Sequence, residues 1–214
     1  MKQLLYITCN SKPENMSASK TVGRAFVDSF LKNHRDYELK EIDLFDLHLP
    51  RLNYKYYKDR NSLVDGDDYN RLTQDEKIEV DRIKELATEF TKADTYVIAA
   101  PMWSLMFPAP LKEYLDCIIQ KDISIKMGPG DIGGLLDDKE RNMVYIQSSG
   151  GGIPWFLERK MNHGGTYLKD IFKFIGIKNF YEVLVDSTGF TKEELHDAVE
   201  KGKQDAKTIA EKIA

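Results

Sequence analysis

Scarcity is the first guide to this chain. Its 214 residues hold only two cysteines, seven prolines and four histidines. Cys9 and Cys117 form no CxxC or metal-ligand spacing, so neither a disulfide scaffold nor a cysteine-built zinc site is expected. Both should be buried as small hydrophobes. His34, His48, His163 and His196 are scattered, with no ligand spacing between them. No run of about 18 apolar residues occurs, so no transmembrane helix is expected. Positive charge is not in excess either: the formal net charge of -4 argues against nucleic acid or an anionic membrane as partner. G-x-S-x-G, Walker A and H-E-x-x-H patterns are all missing. The opening Met1 to Cys9 is too short and too strand-like for a signal peptide, and a cytoplasmic home is expected.

What is present suits one α/β domain spanning residues 1–214, since 42% of the residues are hydrophobic and 31% charged. Apolar runs alternate with helical periods. Strands are expected over 4–9, 38–44, 95–100, 143–147 and 180–185. The second, alternating charged and apolar residues, suits a sheet edge. Helical spacing covers 17–32, 75–92, 110–119, 166–174 and 191 to the end, the last opening on the capping-box spacing Thr191 to Glu194. Such alternation means a doubly wound, five-stranded parallel sheet with helices on both faces. Residues 50–70, rich in tyrosine and charge, have no clean period; a lid, an interface arm and a plain surface loop all remain open. Residues 123–136 read as a hairpin-like insertion. Within it Gly128-Pro129-Gly130-Asp131-Ile132-Gly133 spells G-x-G-x-x-G, but no helix follows. A dinucleotide fingerprint must open a helix, so this is a turn.

Three stretches follow apolar runs, where open α/β sheets bind ligands. The first, Ser11 to Ser19, places Ser17 and Ser19 where a helix begins. Their hydroxyls and the unpaired amides there favour a phosphate. Capping alone needs only one serine. In the second, Pro101-Met102-Trp103-Ser104-Leu105, apolar bulk runs on past the strand end, as it does beside a ligand groove or inside a buried connection. The third, Ser148-Ser149-Gly150-Gly151-Gly152, lets backbone approach a ligand closely. Together they suggest a flavin mononucleotide (FMN) site.

These segments resemble the FMN-dependent NADH-azoreductases, a flavodoxin-like family related to the NAD(P)H quinone reductases. The likeness covers almost the whole chain. It rests on Ser11 with Ser17-Ala18-Ser19, on Pro101-Met102-Trp103 followed by Leu111-Lys112-Glu113-Tyr114-Leu115-Asp116, and on Gly128-Pro129 ahead of Gly133-Gly134-Leu135. Ser148-Ser149-Gly150-Gly151 and Phe172 to Ile177 complete it. The resemblance implies that Ser11, Ser17, Ala18 and Ser19 bind the FMN phosphate. Met102, Trp103, Ser104 and Leu105 would line the isoalloxazine, and Ser148, Ser149, Gly150 and Gly151 would hold its pyrimidine edge. Phe174 would border the substrate across a homodimer interface, although helical spacing alone expects it in the core. NADH or NADPH would give a hydride to FMN N5, and a quinone or azo compound would then take it in a ping-pong cycle; no catalytic acid or base is named. Two alternatives are a flavodoxin-like electron carrier and an acyl-carrier-protein phosphodiesterase, the latter needing a metal or activated nucleophile. Ser104 and Leu105 depart from the family's usual Asn-Phe, and Ser149 from its frequent Arg.

Overall fold

The computed structural model describes residues 1–151, 161–189 and 191–213. Gly152 and Ala214 lie outside them. The five apolar runs form strands β1 (Lys2–Thr8), β2 (Tyr37–Asp43), β5 (Thr95–Pro101), β8 (Asn142–Ser148) and β9 (Asn179–Val185). They pair in the order β2-β1-β5-β8-β9, every neighbour parallel. β5 is buried at every position, as a central strand covered on both faces must be. β2 has no fully buried residue, with Glu38 and Glu41 exposed, and lies at the edge, as its alternating sequence suggests.

Helices cover both faces. On one side α1 (Ala18–Asn33) and α6 (Lys192–Lys212) pack a core of Tyr6, Phe26, Phe30, Val97, Val144 and Ala206. On the other α3 (Gln74–Lys92), α4 (Ala109–Ile118) and α5 (His163–Ile175) enclose Ile83, Phe90, Tyr96, Tyr114, Tyr145 and Phe172. Helix ends follow local chemistry. Thr73 and Glu76 form a complete capping box at α3. At α6 the Thr191 hydroxyl accepts from the Glu194 N–H, but the Glu194 carboxylate bonds the Thr191 hydroxyl rather than its backbone, so the expected box is half-formed. Gly176 ends α5 at φ 113, and the Ile177 N–H reaches back to the Phe172 carbonyl at 2.8 Å. That left-handed cap is why glycine stands there.

The insertion over 123–136 is a hairpin of β6 (Ile125–Gly128) and β7 (Asp131–Gly134), turning through Pro129-Gly130 with Gly130 at φ 76. The G-x-G-x-x-G is therefore strand, turn and strand, with no helix N-terminus for a pyrophosphate. Residues 50–70 resolve into small pieces that the sequence does not mark. A 3-10 turn (Tyr54–Tyr56) leads into the β3 (Tyr57–Asp59) and β4 (Ser62–Leu63) hairpin and then α2 (Gly66–Asn70). Among the described residues, no helix is long and apolar enough to cross a membrane.

Candidate functional site

β1, β5 and β8 are the middle three strands, so the loops leaving their carboxyl ends stand side by side. Backbone bonds join them. The Cys9 N–H donates to the Ala99 carbonyl at 2.9 Å, Met102 N–H to Ser148 at 2.7 Å, and Ser149 N–H to Val185 at 3.0 Å. The three stretches singled out in the sequence therefore meet along one edge of the sheet.

In the first loop Glu14–Met16 make a 3-10 turn, and Ser17 caps α1 by accepting from the Lys20 N–H. Asn10, buried just past β1, donates its Nδ2 to Ser17 Oγ at 2.8 Å and accepts the Lys12 N–H at 3.0 Å. Ser17 and Ser19 hydroxyls lie 3.3 Å apart, both buried. The first helical amides, Ala18 and Ser19, have no acceptor among the described residues. Ser17 is thus both cap and cradle wall, and the orphan amides give an anion two donors. Ser11 is different: it is exposed and faces a neighbouring cavity. Asn10 is one residue that sequence reasoning missed, and its only signal is a polar side chain directly after a buried strand.

The second loop is a tight turn. Trp103 N–H donates to the Met106 carbonyl at 2.7 Å and the Met106 N–H returns to Trp103 at 3.0 Å. Ser104 and Leu105 between them have φ values of 50 and 63. Two successive left-handed residues without glycine carry local strain of the kind found at binding sites. The turn leaves Trp103 47% exposed and Leu105 39% exposed. The Trp103 ring meets Phe45 edge-on, centroids 6.2 Å apart. Behind, the Leu105 carbonyl accepts the His163 N–H at 3.2 Å, which fastens the turn to the start of α5.

In the third loop the Ser149 hydroxyl lies 2.6 Å from both Asp186 Oδ1 and the Gly151 carbonyl. Its one proton therefore has an acceptor on either side, one in its own loop and one just past β9. Thr188 and Gly189 N–H groups brace Ser149 and Gly150 from behind. Among the described residues, a Cβ at Gly151 would meet nothing within 4 Å. Phe174 stands apart from these loops in sequence, on α5, and is 42% exposed. The core placement expected from its spacing is not adopted; Phe172 and Ile175 take those positions.

Acid-base chemistry is scarce here. Burial pushes the Cys9 thiol up to about 12. It also raises the Tyr145 phenol, whose hydroxyl donates to Gln147 Oε1 at 3.0 Å. No group of three or more His, Cys, Asp or Glu residues is placed to hold a metal among the described residues. A cradle of orphan amides, an exposed aromatic turn and a glycine loop suit the phosphate, ring faces and ring edge of a flavin mononucleotide.

A parallel sheet in this order, with ligand loops at the point where strand order reverses, defines a flavodoxin-like protein. A family model described as Flavodoxin-like fold matches residues 2–210. The chain is 52% identical over 215 residues to the FMN-dependent NADH:quinone oxidoreductase of Clostridium botulinum (strain Alaska E43 / Type E3), covering 100% of both. It is 54% identical over 203 residues to the same-named protein of Clostridium botulinum (strain Eklund 17B / Type B), covering 94% of each. Among solved structures, an FMN-dependent NADH-azoreductase from Bacillus anthracis str. Ames Ancestor in complex with FMN superposes with TM-score 0.79 at 26% identity, covering 98% of this chain and 100% of that one. The chain belongs to the flavodoxin-like family and, within it, to the FMN-dependent NADH:quinone oxidoreductases.

Proposed function

We propose that this chain is an FMN-dependent oxidoreductase that passes two electrons from NADH to quinones, azo compounds or both. The observation that carries the reading is the junction of three loops at the ends of β1, β5 and β8, each chemically suited to one part of FMN. Relatives bearing the name FMN-dependent NADH:quinone oxidoreductase match the chain end to end, which supports it.

When bound, FMN supplies the hydride-accepting and hydride-donating chemistry. The protein's part is position and exclusion. Ala18 and Ser19 amides with the Ser17 and Ser19 hydroxyls hold the phosphate at the start of α1, where the helix field favours an anion. Trp103 and Leu105 give an apolar wall against which a flat donor or acceptor stacks. The Met102 and Trp103 N–H groups already donate to Ser148 and Met106, so Ser104 and Leu105 offer the backbone donors to the ring while Met102 and Trp103 line it, and Ser148 to Gly151 hold its far edge. Serine at 104 keeps those backbone contacts without a long amide side chain. No side chain is assigned as acid or base, since the buried thiol and phenol nearby are held protonated.

The whole span is read as one domain acting as a homodimer. Phe174 on α5 and Ile132 on β7, which packs against α5, are both exposed and would be covered by a second copy, with Phe174 at its substrate pocket. Two buried free thiols suit a reducing, cytoplasmic compartment. The test is steady-state oxidation of NADH with a soluble quinone. Parallel double-reciprocal lines, expected for a ping-pong cycle, support the reading; no NADH consumption by FMN-loaded protein overturns it.

A further inference from the structure

A second cavity lies beside the phosphate loop, at the ends of β1 and β2. Its volume is about 480 Å³, and Asn10, Lys12, Glu41, Asp43, Phe45 and Asp46 are among its walls. Ser17, Ala18 and Ser19 do not line it, so it is separate from the phosphate cradle; residues 10–14 are the partition. Most of its charge is spent internally. Arg24 grips Glu41 with two bonds of 2.9 and 2.6 Å and meets Glu14 at 3.2 Å. Lys20, itself buried, pairs with Asp43 at 2.6 Å. Among the described residues that leaves Lys12 and Asp46 as lining charges with no ion-pair partner.

One free cation, one free carboxylate and a half-exposed aromatic ring are the three groups that an adenosine diphosphate unit needs. Lys12 answers a diphosphate. Phe45, with Ile42 and Pro13 beside it, answers adenine. Asp46 follows β2, and in dinucleotide-binding sheets an acidic side chain at the end of the second strand takes the ribose diol. The cavity also communicates with the ring loop, because the Phe45 ring that lines it touches Trp103.

We propose that this cavity binds the ADP half of NADH, and that Asp46, the lining carboxylate left without an ion-pair partner among the described residues, sets the preference for NADH over NADPH. The inference rests on the oxidoreductase reading. A 2′-phosphate placed beside Asp46 would meet an unpaired carboxylate, since Asp43 and Glu41 are neutralised by Lys20 and Arg24, and among the described lining residues no uncommitted cation but Lys12. Repulsion of that kind rejects a competitor without improving the favoured ligand.

The test compares kcat/KM for NADH, NADPH and 1-benzyl-1,4-dihydronicotinamide, a donor with no ADP half. Binding of ADP-ribose to FMN-loaded protein, measured by calorimetry, is the readout independent of turnover. Asp46→Asn should lower the NADH-to-truncated-donor ratio about tenfold and weaken ADP-ribose by a similar factor, the loss expected for one charged hydrogen bond. Asp46→Arg should shift the NADH-to-NADPH ratio toward NADPH by about tenfold or more. Lys12→Ala should weaken ADP-ribose and reduce its salt dependence. Ratios within about twofold of wild type in both Asp46 variants would overturn the proposal. So would absence of ADP-ribose binding, or recovery of FAD rather than FMN from the protein, because FAD's own ADP half would then claim the cavity. Failure of wild type to oxidise even the truncated donor, with ADP-ribose still bound at an Asp46-dependent site, would sink the oxidoreductase reading and leave the ADP site standing.

Discussion

The Met102 N–H donates to the Ser148 carbonyl at 2.7 Å, one residue beyond the last paired position of β5. That bond makes the aromatic turn and the glycine loop leave the sheet from a common anchor. Their separation is then fixed by the β5–β8 ladder rather than by either loop. A ligand edge spanning both loops meets a preformed gap, which lowers the ordering cost of binding.

The turn itself should be improvable. Ser104 sits at φ 50, a region where asparagine is several-fold enriched and most residues are strained. Ser104→Asn is expected to stabilise the protein by about 0.5–1 kcal/mol, raising Tm by roughly 1–4 °C. Leu105→Pro, which forces φ near -65° onto a position held at 63, should lower Tm and release FMN. Thermal melts with and without added FMN check both.

Ser17 and Ser11 should separate cleanly, although the sequence offers them as one group. Ser17→Ala removes the α1 cap and the acceptor for Asn10, costing about 1 kcal/mol in urea unfolding. It should also weaken FMN about tenfold in a fluorescence titration. Ser11, exposed and with no capping bond, should change stability by no more than about 0.5 kcal/mol when replaced by alanine.

That difference marks the limit of what the sequence carries. The strands were legible because runs such as Tyr96 to Ala100 are buried on both faces and so apolar throughout. The hairpin over 125–134 was legible from Pro129-Gly130, whose backbone preferences act locally. The pieces within 50–70 were not: β3, β4 and α2 are two to five residues long, too short for any period to register. In the site, loop positions could be read because they follow strands. The partition of roles within a loop could not, since Ser17 faces inward and Ser11 outward through a fold of the backbone at Glu14–Met16. Asn10 and Phe45 went unmarked for the same reason: what they do depends on Ser17 and Trp103, which only the folded chain brings to them.

Both thiols should be silent in the native state. Burial pushes Cys9 and Cys117 up to about 12, leaving negligible thiolate at pH 8. A thiol reagent such as DTNB should label neither cysteine in native protein and both after denaturation. Fast native labelling of either would contradict their burial.

Acid should unfold the protein through its half-buried, ion-paired carboxylates. Burial works against the charge on Asp94, but the ion pair to Lys139 at 2.6 Å and the Gln3 N–H at 2.8 Å outweigh it, holding the carboxyl below its usual range. Asp43 is depressed in the same way, with Lys20 and the Phe45 N–H opposing its burial. Groups whose folded pKa is lowered contribute fully above the unfolded value of about 3.9 and lose that contribution as pH falls through the folded value. Stability should therefore drop on acidification below about pH 4. Asp94→Asn should be less stable than wild type at pH 7 by about 1–2 kcal/mol and lose less between pH 7 and pH 3. Urea midpoints across that range test the sign.

The central claim is that this chain holds FMN between three loops and passes two electrons from NADH to a quinone. The most direct measurement is the anaerobic visible spectrum of purified, FMN-supplemented protein during addition of one equivalent of NADH and then one of quinone. The account predicts flavin absorbance that bleaches with the NADH and returns with the quinone, one equivalent for one. A protein that stays colourless after incubation with FMN, or a bound flavin that NADH does not bleach, would contradict it.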